Sequence, residues 1–112
     1  LTGIIETKGQ VAARYRSFFE AIGVEMVESL TNCRTNNWLN AIVLKDKKQR
    51  DEFLEFTNEM NVMTRPIWRL MSDLVMFQDC QHDGLSNSRW LEARVVNVPS
   101  SVPDDFENFP ND

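Results

Sequence analysis

Apolar residues fall at Val11, Tyr15, Phe18 and Ile22, the i, i+4, i+7, i+11 spacing of one stripe along an α-helix. The periodic segment spans residues 4–22, and Ile4, Ile5, Ala12 and Phe19 add to it. Gly23 stands where a helix commonly closes with a left-handed residue. If this stripe is core, truncating Phe18 to Ala costs about 3–5 kcal/mol. Residues 24–28 then alternate well enough for a short, partly exposed strand. Residues 31–37 form a polar, turn-forming cluster. Residues 38–44, Trp-Leu-Asn-Ala-Ile-Val-Leu, are apolar on both alternating faces, which predicts a central strand covered on both sides. Two successive strands joined by a polar loop predict an antiparallel hairpin.

Asp46 is placed to accept hydrogen bonds from the free amides of a helix's first turn, and Gln49 three residues later completes a capping-box pattern. Phe53, Phe56 and Met60 make the predicted buried stripe of that helix, with Leu54 on its flank and the charges of residues 47–52 facing water. Residues 61–65 lead into a third strand expected to stop at Pro66, which lacks an amide donor. Residues 67–85 show no clear period and read as loop with one helical turn. Ser86 or Ser88 is expected to cap a short helix holding Trp90, Leu91 and Arg94. Residues 95–98, Val-Val-Asn-Val, form a last strand stopped by Pro99.

The resulting order is α-β-β-α-β-(loop)-α-β. It predicts an α+β, two-layer fold, with a small, mostly antiparallel sheet of three or four strands packed on two main helices plus one short helix. At 112 residues the chain fits one domain, and folding at that size hides roughly two thirds of the unfolded surface. Seven Phe and three Trp supply enough apolar volume for one core. The folded domain is assigned to residues 1–103, and residues 104–112 to an acidic, frayed tail.

Charge changes the picture through its distribution. The formal net charge is −5, but four of the 17 acids lie in residues 104–112 with no base beside them, so the body is nearly neutral. A neutral body without a basic stripe argues against nucleic-acid binding, whose affinity comes from neutralised phosphates. No run approaches the ~20 apolar residues of a membrane span, and no signal peptide is evident. Cys33 and Cys80 lack metal-ligand spacing and read as reduced thiols of a cytoplasmic protein, a Cys33–Cys80 disulfide being the alternative.

Catalytic motifs are missing. There is no glycine-rich phosphate loop, no HExxH, no CxxC and no GxSxG. The one histidine, His82, lies in a polar turn beside Cys80 and Asp83 and reads as a surface-loop residue, with no metal site expected. Cys33 has no candidate base nearby in sequence. Asp51, Glu52, Glu55 and Glu59 belong to a solvated helix face. The segment of residues 64–69, Thr-Arg-Pro-Ile-Trp-Arg, is different. Arg65 and Arg69 flank Trp68 just where a strand runs out into irregular chain, and loops set by a rigid scaffold often carry binding. A guanidinium clamps phosphate or carboxylate with two parallel bonds, while an indole offers a flat face to a sugar or base. The competing reading is an arginine paired to an acid and a tryptophan closing the core. Asn37, in the polar run before Trp38, is a weaker candidate: its amide either meets ligand hydroxyls or shapes the turn.

Several stretches together resemble the C-terminal small domain of sugar-nucleotide aminotransferases, the DegT/StrS group of fold type I pyridoxal-phosphate enzymes. They are residues 37–42 (Asn-Trp-Leu-Asn-Ala-Ile), the helix of residues 46–61, residues 62–68 (Val-Met-Thr-Arg-Pro-Ile-Trp) and residues 94–101 (Arg-Val-Val-Asn-Val-Pro-Ser-Ser). The threonine-arginine-proline step and the closing asparagine-X-proline-serine-serine are the most specific, and their spacing is similar to the legionaminic-acid and perosamine-type branches. The likeness covers roughly residues 4–103.

The resemblance implies a homodimer of longer subunits, in which a large α/β domain binds pyridoxal phosphate and carries the lysine that forms the Schiff base. It implies transfer of an amino group, from glutamate, to a nucleotide-linked keto sugar. None of Lys8, Lys45, Lys47 and Lys48 stands in the family's lysine motif. By the resemblance, Arg65 and Pro66 match the broad family motif and Trp68 the legionaminic-type branch, so Arg65, Trp68 and Asn37 are the expected substrate-binding residues. Many relatives carry a histidine near residues 71–72, where this chain has Met71 and Ser72. The chain opens on Leu1 with its first helix under way by Ile4, and is expected to be part of a longer enzyme and inactive alone. The alternative is a stand-alone α+β module for a ligand or a protein partner. An unusually apolar surface around Ile4 and Ile5 would favour the first reading.

Overall fold

A computed structural model describes residues 2–103 of the chain. The predicted acidic tail, residues 104–112, lies outside the described residues. The first helix, α1 (Thr2–Ala21), ends on Gly23 at φ 72°. Gly23 N–H donates to Glu20 O at 3.1 Å and Val24 N–H to Phe19 O at 2.8 Å, the paired bonds of a Schellman close. The buried face of α1 is rotated from the expected stripe. Val11, Ala12 and Phe19 are buried and Tyr15 half-buried, whereas Phe18 is 59% exposed and Ile22 also lies outside. Phe18 and Phe19 are neighbours in sequence, both compatible with an apolar stripe, and only one can point inward. Phe19 does so, stacked on Tyr15 at 5.9 Å between ring centroids, with the Phe18 ring edge-on to it at 5.2 Å. The expected core role of Phe18 is therefore corrected.

After β1 (Glu25–Met26) and the polar turn, β2 (Asn40–Val43) pairs antiparallel to β1 with Met26 opposite Ile42, as the hairpin reading required. Helix α2 (Lys47–Glu59) starts on Asp46, whose Oδ1 accepts from Gln49 N–H at 2.9 Å. Gln49 Oε1 reaches back one residue further than a standard capping box, to Lys45 N–H at 2.8 Å. At the other end Asn61 takes φ 62°, and Val62 N–H donates to Thr57 O at 2.8 Å in a second Schellman close. The inward face of α2 is Phe53, Leu54 and Thr57. Phe56, 64% exposed, and Met60 stay outside, which corrects the expected stripe.

Strands β3 (Arg65–Pro66) and β4 (Val95–Val98) complete a four-stranded, fully antiparallel sheet in the order β1-β2-β4-β3. The last strand in sequence thus inserts between β2 and β3. Pro66 is the last residue of β3, as expected, and is itself paired in the ladder, opposite Val96. This is tolerated because β3 is an edge strand, and Ile67 N–H carries the ladder on by donating to Val95 O at 3.2 Å. Helices α1 and α2 cover one face, where Phe19, Ile42, Leu44, Val96 and Val98 form the core with Tyr15, Phe53 and Leu54 against it. The strand β2 is central as expected but closed on one face only. Ala41 and Val43 are half-buried on the other, and Trp38 and Leu39 lie exposed before the strand begins.

The loop after β3 forms two 3-10 turns, Met71–Asp73 and Val75–Phe77, where one helical turn was expected. The short helix α3 (Ser86–Glu92) starts on Leu85, in the left-handed region at φ 57° and without a side-chain cap, so neither Ser86 nor Ser88 caps it. Asp83 Oδ1 instead accepts from Leu85 N–H at 2.9 Å just upstream. Cys33 and Cys80 are free and exposed.

Candidate functional site

The ladder places the candidate residues. Arg65 lies opposite Asn97, which lies opposite Ala41, so these three share the sheet face turned away from the helices. Arg65 is exposed, and its side chain makes no hydrogen bond or ion pair among the described residues. The competing reading, an arginine tied to a nearby acid, therefore fails among these residues. Beyond β3 the chain is pinned twice, by Ile67 N–H to Val95 O and by Leu70 N–H to Glu92 Oε1 at 3.1 Å. Between the pins Trp68, 66% exposed, and Arg69 face outward, so Trp68 does not close the core. Glu92 is itself held: its carbonyl accepts from Arg50 Nη1 at 2.6 Å.

Asn37 lies elsewhere. Because β2 and β3 run the same way on either side of β4, Asn37 leaves the sheet at the end opposite Trp68. It has φ 50°, its N–H donates to Thr35 Oγ1 at 3.0 Å, and its Nδ2 lies 3.9 Å from where a Cβ on Gly9 would stand. At that end Lys8 Nζ donates to Ser100 O at 2.7 Å, and Asn40 N–H to Ser100 Oγ at 2.8 Å, which clips α1 and β2 to the chain leaving β4. Arg65, Trp68 and Arg69 are thus all exposed on β3 and the chain just beyond it, with Asn37 at the opposite end of the sheet.

Behind Arg65 lies a cluster that the sequence reading passed over. Thr64 Oγ1 is 2.6 Å from Thr57 Oγ1, and Asn58 Nδ2 is 3.1 Å from Thr64 Oγ1 and 3.2 Å from Thr64 O. Thr64 is only 2% exposed. A threonine before an arginine carries no sequence signal of this kind; only the meeting of α2 with the start of β3 creates it.

Other chemistry stays on the surface. His82 is exposed, and its Nδ1 accepts from Gly84 N–H at 3.0 Å. Hydrogen bonds from Lys47 and then Arg50 hold the Asp51 carboxyl below its usual range, and Lys48 lies 3.7 Å from Glu52, as expected of a solvated face. An open hollow of ≈ 410 Å³ between Ile22, Glu25, Lys45, Gln49 and Trp90 gathers no convergent set of catalytic groups.

The sequence matches the model of the DegT/DnrJ/EryC1/StrS aminotransferase family over residues 1–105. The chain belongs to that family. No curated protein sequence matches it. Aminotransferases of this family generally use pyridoxal phosphate, which requires a lysine in an enclosed site and a cradle for its phosphate. In this family member Lys8 is committed to Ser100 O, Lys47 and Lys48 face the acids of α2, and Lys45 is exposed. The N-terminus of α2 is already closed by the Asp46 carboxylate, which would repel a phosphate. Among the described residues of this aminotransferase family member, no lysine stands in an enclosed site, and the α2 N-terminus does not fit the cofactor's phosphate. No helix among the described residues is long and apolar enough to cross a membrane.

Proposed function

We propose that this chain is the substrate-side small domain, C-terminal in a longer and homodimeric cytoplasmic enzyme, of a pyridoxal-phosphate-dependent aminotransferase that moves an amino group from glutamate to a nucleotide-linked keto sugar. The cofactor, its lysine and its phosphate cradle belong to a large domain outside this chain, which by itself is catalytically silent. Arg65 binds the anionic bridge of the nucleotide sugar, and Trp68 lays its indole face against the sugar or base. Asn37, at the far end of the sheet, serves only the distant portion of an elongated ligand. Within the family we assign it to a legionaminic-acid or perosamine-type branch, which its threonine-arginine-proline step resembles.

The observation that carries the reading is an exposed guanidinium without a partner among the described residues, on an edge strand three residues from an exposed indole, in a member of an aminotransferase family. The outer surface of α1 supports the large-domain partner. Ile4, Phe18 and Ile22 are all more than half exposed there, as a surface built to be covered would be.

Two measurements test it. Mixed with pyridoxal phosphate and glutamate, the isolated chain should show no turnover and no absorbance beyond that of the free cofactor; turnover by rigorously pure material sinks the division of labour. In the complete enzyme, Arg65→Ala should raise KM for the nucleotide sugar about 10–100-fold with kcat little changed, the signature of lost binding to an ion. An unchanged KM removes Arg65 from the site.

A further inference from the structure

We infer that Thr64, Thr57 and Asn58 form a hydroxyl relay that aims Arg65, which makes Thr64 a positioning residue for anion binding. The inference rests on the proposed role of Arg65 and adds the means by which its direction is set.

Arg65 needs such a device because little else orients it. Its side chain has no partner among the described residues, so its aim is inherited from the backbone of a two-residue edge strand. One of those two residues is Pro66, which donates nothing to the ladder. On the sheet side, β3 is held only by β4. The pins at Ile67 and Leu70 hold the chain after Arg65, and on its N-terminal side the anchor runs to the helix through Thr64.

The proton positions there follow from the donor inventory. Each threonine hydroxyl has one hydrogen to give. Thr57 Oγ1 lies 2.7 Å from Phe53 O, which can only accept, so its hydrogen goes there. Thr57 Oγ1 must then accept from Thr64, across 2.6 Å. Asn58 Nδ2 gives one of its two hydrogens to Leu54 O at 2.7 Å, and the other is shared between Thr64 Oγ1 at 3.1 Å and Thr64 O at 3.2 Å. The chain Asn58 → Thr64 → Thr57 → Phe53 O has one direction and leaves no hydroxyl unmatched. It fixes both the side chain and the carbonyl of the residue preceding Arg65. Removing one link leaves the threonine methyls and the core in place but frees the peptide that carries Arg65. Buried polar groups of this sort specify geometry more than they add stability.

The test uses the complete holoenzyme and titration calorimetry, with guanosine diphosphate and uridine diphosphate as probes. For the nucleotide that binds more tightly, Arg65→Ala should weaken binding about 30-fold, Thr64→Val about 5-fold, and Thr64→Ser less than about twofold, since serine keeps the hydroxyl. Asn58 is exposed, so Asn58→Ala tests the same relay without touching the core and should weaken binding about 3-fold. In an Arg65→Ala background Thr64→Val should add less than about twofold, because it acts through the guanidinium. If Arg65→Ala weakens binding while both Thr64→Val and Asn58→Ala leave it unchanged, the relay is overturned and Arg65 stands. An equal loss from Thr64→Val with and without Arg65 also overturns it, by showing a general structural effect. A wild-type enzyme that binds neither nucleotide, or an Arg65→Ala variant that binds normally, overturns the reading of Arg65 on which the relay depends.

Discussion

The two faces of the sheet are built differently from the same strands. On the helix-covered face Asn40, Ile42, Leu44, Val96 and Val98 are all buried, and the one polar member, Asn40, has its amide bonded to Ser100 Oγ at 3.2 Å. On the opposite face the ladder sets Glu25, Ala41, Val43, Asn97, Arg65 and Val95, and only Val95 is buried. The face without helices is mixed, with Ala41 and Val43 half-buried beside the polar Glu25, Asn97 and Arg65. The closed face carries the stability and the open face carries the candidate chemistry.

Neighbouring residues on β2 give the largest test of that division. Ile42 is fully buried (0% exposed), so Ile42→Ala should cost about 3–4 kcal/mol through lost transfer energy and the cavity left behind. Val43 points the other way and is half-buried, so Val43→Ala should cost about 1 kcal/mol. Urea denaturation of the two variants reads both. Equal losses would mean that the open face is packed as tightly as the closed one.

The helices pose the same question with a smaller effect. Phe18→Ala should cost about 1 kcal/mol in the isolated chain, mostly the edge-on contact with Phe19, instead of the several expected of a core phenylalanine. Thermal or urea unfolding checks it. A loss near 4 kcal/mol would return Phe18 to the core. If the outer surface of α1 meets another domain, as proposed, the same substitution should cost more in the presence of that domain.

These cases show what a sequence discloses. The order of elements, the Asp46 cap, Gly23 as the close of α1 and the Val95–Val98 strand were legible because each depends on local chemistry: a period, a carboxylate, a missing Cβ. The choice between adjacent apolar residues was not. Phe18 against Phe19, and Phe56 against Thr57, differ by one step of a helix, and only the direction of the sheet beneath decides which turns inward. Thr57 being buried was invisible because, although its acceptor Phe53 O lies one turn back in the same helix, its donor Thr64 comes from the chain beyond α2. For the candidate site, the residues around Arg65 and Trp68 could be read from their types. That Asn37 departs at the other end of the sheet required the register of β2 on β4.

The smallest effect concerns the exposed rim, where the pair of Arg16 and Glu28 links α1 to the chain beyond β1. Arg16 Nε donates to Glu28 Oε1 at 2.7 Å and Nη2 to Oε2 at 3.1 Å, a two-pronged contact. The hydrogen bond from Arg16 holds the Glu28 carboxyl below its usual range, so the folded state binds that proton less readily than the unfolded chain. The pair's stabilisation is therefore fully present above the ordinary glutamate pKa of about 4.3 and fades as pH falls through the lower folded value. Both side chains are about half exposed, 50% and 56%, so water screens most of the attraction. What remains is about 0.3 kcal/mol. Glu28→Gln should lose that amount at pH 7 and nothing at pH 2, and added salt should shrink the difference at pH 7. A deficit that persists unchanged at pH 2 would mean that Glu28 contributes through packing, which would extend the closed part of the molecule to this rim.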